Sequence, residues 1–179
     1  MSALDARRGS VPVQPEVPDL MVDAGDAGDE LLIFRVGSER FAMRVDAVEA
    51  VSDLPAVNPL PTMPPHMLGV CELRGSLVPV YSPAAALNVA LGAPAVAIIA
   101  WVGRTDVDAG RRVAIAVDEA AGVTTTHAAR WGGIGGAPGS DGFVRGVSAF
   151  GTELTTLVHA GEFLVACTAG RADTTEEAS

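Results

Sequence analysis

The groups that most often carry chemistry are few in this chain. His66, His127 and His159 lie far apart, and none falls in a metal-binding spacing such as HExxH. Cys71 follows His66 by five residues across a loop-to-strand junction. A thiol beside an imidazole is the pair a covalent nucleophile needs, but no local signature of such an enzyme surrounds these two. The plainer reading of Cys71 is a small buried strand residue. The run WGGIGGAPG (131–139) looks like a phosphate loop only in its glycines. It lacks the GK[ST] ending, and no strong helix pattern follows to offer amide donors and a dipole to a phosphate. All 12 basic residues are arginine, which removes Schiff-base chemistry and the P-loop lysine. The reading is a binding or scaffold module rather than an enzyme, with no cofactor and no metal.

The bulk properties agree. The formal charge is −10 over 179 residues. Residues 1–30 hold seven acids against two arginines, and residues 166–179 hold three acids against one. Acidity concentrated in the ends favours solubility and gives no basic surface for nucleic acid. Two cysteines make no disulfide framework, so a reducing compartment is expected. The longest apolar stretch, around Ala93 to Val102, is far short of the roughly 20 residues that cross a bilayer, so no membrane insertion and a cytoplasmic location are expected.

The elements that must position any site are short and β-type. LLIFRV (31–36) and RFAMRV (40–45) form a hairpin pattern. DAVEAV (46–51) reads as a helical turn or the start of a strand. Five prolines between residues 54 and 66 make that stretch an extended loop. GVCEL (69–73) and SLVPVY (76–81) read as strands, and PAAAL (83–87) as a short helix with proline at its start. AVAIIAWV (95–102) with RVAIAV (112–117), and VRGVSAF (144–150) with ELTTLV (153–158), form two more hairpins; VTTT (123–126) is another strand. Residues 129–142 read as glycine-rich loop and GEFL (161–164) as a last helical turn. The organisation expected is an acidic disordered tail at 1–30, a domain at 31–165 and a flexible tail at 166–179.

The chain also resembles itself. FAMRVDAVEAV (41–51) matches VAIAVDEAAGV (113–123) at an offset of 72. Further on, Gly69-Val70 matches Gly146-Val147, Leu77 matches Leu154 and Leu87 matches Leu164, at an offset of 77. Two matches in the same order predict two copies of one β unit, each the size of a small closed barrel of about five strands.

The order IFRVGSERFAMRVDAVEAV, a proline-rich loop, MLGVCELRGSLVPV, VAIAVDEAAGV and VRGVSAFGTELTTLV resembles the CheW family of chemotaxis coupling proteins over about residues 31–165. The L-R-G followed by P-V, after G-V, is the most specific part. The resemblance implies an all-β fold of two side-by-side five-stranded SH3-like β-barrels. It implies an adaptor that binds the cytoplasmic tip of chemoreceptors and the regulatory domain of a CheA-type histidine kinase. The partner-binding positions it implies are Val48, Glu49, Ala50 and Val51, then Leu68, Gly69, Glu72, Leu73, Arg74 and Gly75. Arg74 offers a guanidinium to a partner's carbonyl or carboxylate or holds an internal salt bridge, and the two roles are compatible. Gly69 and Gly75 are expected to let a partner approach the backbone. Three departures stand out. Ala50 occupies the family's acidic position, with Glu49 one residue early. Glu72 stands where the family has Asn, and is expected to pair with Arg74 from the same strand face. Tyr81-Ser82-Pro83-Ala84 lacks the family's charges at the exit of the first barrel.

Overall fold

The computed structural model describes residues 28–90, 92–105, 107–127, 142–150 and 152–169. The readings of 1–27 and 170–179 as tails, and of the glycine-rich stretch through residue 141, lie outside the described residues.

Among the described residues ten strands form: β1 (Asp29–Val36), β2 (Glu39–Arg44), β3 (Val48–Asp53), β4 (Met67–Leu73), β5 (Ser76–Tyr81), β6 (Val96–Val102), β7 (Arg111–Val117), β8 (Glu119–Thr126), β9 (Val144–Phe150) and β10 (Glu153–Val158). The ambiguous stretch after β2 is both things: a 3₁₀ turn at Val45–Ala47, then β3. Helix α1 (Ala84–Leu87) starts behind Pro83 and ends at Asn88, whose left-handed conformation stops it. Helix α2 (Ala160–Ala169) is longer than the single turn expected at 161–164. Cys167 lies one turn beyond Phe163, and both face the core, so the helix continues to bury it. Residues 166–169 are thus the end of this helix. At the other end, β1 begins before residue 31, with Asp29 and Glu30 paired to Thr126 and Thr125 of β8.

Two five-stranded sheets result: sheet 1 in the order β8-β1-β2-β10-β9, and sheet 2 in the order β3-β6-β7-β5-β4. The two orders are the same once β1–β5 are exchanged for β6–β10. The register agrees residue by residue. The parallel pair Leu157↔Ala42 corresponds to Val80↔Ala114, which is the offset of 77 on one strand and 72 on the other. Both copies carry a bulge at Glu49 or its counterpart Ala121, and at Leu68 or its counterpart Arg145.

The repeat is therefore real, but a copy is not a sheet. Sheet 1 takes β1 and β2 from the first copy and β8–β10 from the second; sheet 2 takes the remainder. The linkers explain the exchange. In sheet 1, β2 and β8 both run antiparallel to β1, so they are parallel to each other. If β3 sat in the place of β8, the chain would have to run back the length of a strand after β2, a crossover of about a dozen residues or more. Only Val45–Ala47 separate β2 from β3, and only Asp118 separates β7 from β8. The chain runs straight on into the other sheet instead.

A shared core joins the sheets. Leu32, Phe34, Phe41 and Met43 of sheet 1 meet Tyr81, Ile98, Val113 and Ile115 of sheet 2, and α2 adds Phe163, Leu164 and Cys167. Strand alternation sends the smaller partners of these residues to the opposite faces. There, sheet 2 buries Cys71, Val78, Val80, Ala97, Ala114 and Ala116, whereas sheet 1 buries Leu31, Ile33 and Ala42.

Candidate functional site

The motif Leu73-Arg74-Gly75 is the tip of the β4–β5 hairpin. Leu73 and Ser76 close the ladder, leaving Arg74 and Gly75 as a two-residue loop. Both have positive φ, 52° and 77°, which is the signature of a type I′ turn whose twist matches its strands. Glycine suits the second position; an arginine in left-handed conformation at the first is uncommon for a residue with a Cβ. The turn carries Arg74 outward, exposed, beside exposed Glu72 and Leu77, which face each other across the ladder. Leu77 is 73% exposed.

The expected Glu72–Arg74 pair is absent. Arg74 sits on the turn rather than on the strand face of Glu72, and neither side chain forms a hydrogen bond or ion pair among the described residues. The internal salt bridge considered for Arg74 is missing for the same reason. Gly69 also differs from expectation. Its φ is 144°, it is buried, and a Cβ there would clash with the Asn58 carbonyl. Asn58 and Val70 exchange backbone hydrogen bonds of 2.8 and 2.9 Å, so the proline-rich loop lies directly over this glycine. Gly69 thus admits the chain's own loop. Gly75, by contrast, has open space around it.

The β3 positions lie on a sheet edge. Val48 is half-buried against the shared core, and Val51 is 42% exposed. The bulge at Glu49 displaces its side chain toward β7, where Arg112 donates to its carboxylate at 2.6 Å. Ala50 follows, half-buried. The acid that stands one residue early thus has an arginine partner, and it is Arg112 rather than Arg74. Leu68 is the bulged residue of β4, and with Leu73 it packs against the core of sheet 2. The structure therefore gathers Glu72, Arg74, Gly75 and Leu77 at one tip, and places Val48–Val51 at the opposite edge of the same sheet. Sequence reasoning missed Leu77 and Arg112. The matched pair Leu77 and Leu154 was a usable signal, since both are exposed, at 73% and 71%.

The charge-free corner after β5 is buried. Ser82, Pro83 and Ala84 are covered, and the Ala84 N–H points to the Ser82 hydroxyl at 3.4 Å. Burial pushes both thiols, Cys71 and Cys167, above their ordinary range, so neither is held as a reactive thiolate. Among the described residues there is no group of three or more metal-binding side chains, and no helix long and apolar enough to cross a membrane.

Two intertwined five-stranded sheets around one core define an all-β fold of two similar units. The chain belongs to the CheW family: the model of the CheW-like domain matches residues 30–166. It is 30% identical over 100 residues to a chemotaxis protein CheW of Rhizobium meliloti, covering 56% of this chain and 63% of that one. It is 33% identical over 78 residues to a probable chemotaxis protein CheW of Rhizobium etli, covering 42% of this chain and 50% of that one. The matched stretches thus span less than two thirds of either relative. The fold is similar to that of the scaffolding protein TtCheW of Thermoanaerobacter tengcongensis, with a TM-score of 0.63 at 15% identity, over 76% of this chain and 92% of that one.

Proposed function

We propose that this chain is a non-catalytic, cytoplasmic scaffold of a bacterial chemosensory pathway, coupling the cytoplasmic tips of chemoreceptors to a CheA-type histidine kinase. The observation that carries the reading is the β4–β5 tip. Arg74 projects from the turn with no internal partner among the described residues, next to an exposed leucine. A guanidinium held this way keeps its hydrogen-bond donors for a partner's carboxylates or carbonyls, and Leu77 adds apolar contact. Glu72, Gly75 and the edge residues Glu49 and Val51 belong to the same partner-binding set. Val48, Ala50, Leu68, Gly69 and Leu73 shape the surface from beneath.

The test is capture of a receptor-tip fragment and of a kinase regulatory domain by the full chain. Arg74→Ala is expected to weaken receptor capture by roughly tenfold or more, as loss of a charged hydrogen bond does, with the melting temperature unchanged. Equal capture by wild type and variant would overturn the assignment of Arg74. A second reading is a coupler that binds receptor but has lost the kinase. The buried, uncharged Ser82-Pro83-Ala84 corner favours it, because it leaves no charged surface there. Kinase capture in the same experiment rejects that version.

A further inference from the structure

Arg35 and Trp101 occupy equivalent places in the two sheets. Arg35 pairs with Arg40 across the β1–β2 ladder, and Trp101 pairs with Arg112 across the β6–β7 ladder; positions 40 and 112 are related by the offset of 72. The two places are completed differently. In sheet 1 the arginines are matched from within: Arg40 meets Glu153, and Arg35 meets Glu153 at 3.3 Å and Glu119 at 3.6 Å. In sheet 2 Arg112 takes Glu49, and an indole stands where sheet 1 has its other guanidinium.

A third arginine joins the indole. The chain leaves β6 through Gly103, whose φ of 71° turns it back, and Gly110 lies so close behind that a Cβ there would come within 2.7 Å of the Arg104 backbone nitrogen. Hydrogen bonds tie the loop to itself: the Thr105 N–H donates to the Asp108 carbonyl at 2.9 Å, and the Gly110 N–H to the Asp108 carboxylate at 3.0 Å. The Arg104 guanidinium lies over the Trp101 ring, 5.6 Å from its centroid. Arg104 is exposed and Trp101 half-buried. Arg104 has no hydrogen bond or ion pair among the described residues. The two side chains border a recess of about 270 Å³, together with Asp46, Ala47, Val48 and Glu49. Both acids there are already bound by an arginine, Asp46 by Arg44 and Glu49 by Arg112. Arg104 keeps its donors unspent.

We propose that Trp101 and Arg104 form a docking point for a carboxylate side chain of the chemoreceptor tip. The inference rests on the coupling role argued above. It extends the β3 half of that partner surface, because Val48 and Glu49 border the same recess. A guanidinium stacked on an indole keeps its in-plane N–H groups free, and those can meet both oxygens of a carboxylate. Held against the ring, it also has less freedom to lose on binding. Tryptophan and arginine are the residues most often found at the energetic centre of protein interfaces. The carboxylate takes the free donors of Arg104, and the apolar part of the partner covers the Trp101 ring and Val48.

The test is capture of a receptor-tip fragment by the full chain, with affinity and its salt dependence measured for a series at position 104. Arg104→Ala should bind about tenfold more weakly, Arg104→Lys between wild type and alanine, and Arg104→Glu more weakly than alanine. All three should melt close to the wild-type temperature, because the side chain is exposed. Added sodium chloride should weaken wild type more steeply than Arg104→Ala. In a Trp101→Leu background, Arg104→Ala should cost less than it does in wild type, because the ring that holds the guanidinium is gone. Equal capture by wild type and Arg104→Ala, equal capture by the alanine and glutamate variants, or an undiminished Arg104 effect without the indole would each overturn the proposal. Failure of the coupling role reads differently. A wild type that captures no receptor tip overturns both, whereas capture that depends on Arg74 and not on Arg104 overturns this inference alone.

Discussion

Single residues in this chain divide by what their side chains or missing side chains touch. Gly69 is required because the proline-rich loop crosses over it with two backbone hydrogen bonds. Gly69→Ala combines a clash with backbone and a positive φ, so it should cost about 2–4 kcal/mol, read as a lower urea midpoint. Gly75 also has a positive φ but open surroundings, and Gly75→Ala should cost only about 1 kcal/mol. Glu153 is an exposed example of charge tuning. Hydrogen bonds from Arg40 and then Arg35 hold its carboxyl below the ordinary carboxylate range. A depressed folded pKa stabilises above the unfolded pKa, and the gain disappears as pH falls through the folded value. Wild type and Glu153→Gln should therefore differ in melting temperature at neutral pH and converge in acid. The difference should be small, because the group is solvent-exposed and screened.

Among elements, the bulges and the last helix set the shape. Each copy places its bulges at the same two points, one in the strand that follows the first hairpin and one at the start of the second, where the extra residue re-aims the strand. In the first copy these bulges turn Glu49 toward Arg112 and leave Leu68 to pack inward. Helix α2 follows sheet 1 in the chain, yet its end is fastened from sheet 2. The His66 Nε2–H donates to the Thr168 carbonyl at 3.0 Å, and the His66 ring stacks on Tyr81 with centroids 5.9 Å apart. Thr168 lies in the last turn of α2, whose carbonyls have no partner within the helix. His66→Ala is expected to raise amide exchange in that last turn well before it lowers global stability, and uniform protection of α2 in the variant would refute the fastening.

At the scale of the molecule, the exchange of strands makes the two sheets one folding unit. Neither copy contains a complete sheet, and the largest apolar side chains of both sheets meet in one core. Unfolding is therefore expected to be a single transition, with Trp101 fluorescence in sheet 2 and amide signals of β1 in sheet 1 changing together in urea. Phe163 is fully buried and contacts the rings of Phe34 and Phe143, at centroid distances of 5.9 and 5.7 Å. Phe163→Ala should cost about 3–5 kcal/mol and lower both signals alike. Separate midpoints for the two sheets would show that the core does not couple them.

Much of this was legible in the sequence, because it is local. Alternating apolar residues predict the hairpins, prolines predict the long loop, and two in-register matches predict two copies of one unit. The linkers of three residues and one residue even contain the reason for the exchange, but it emerges only when the direction of β8 against β1 is known. What tertiary structure alone decided depends on neighbours far apart in the chain. Asn58 over Gly69, Arg112 beside Glu49, and a turn that leaves Arg74 without Glu72 are all of this kind. The sequence by itself determined the class of fold, the family and the residues at the β4–β5 tip. Which acid met which arginine was decided by packing, since strand pairing joins residues that no sequence spacing relates.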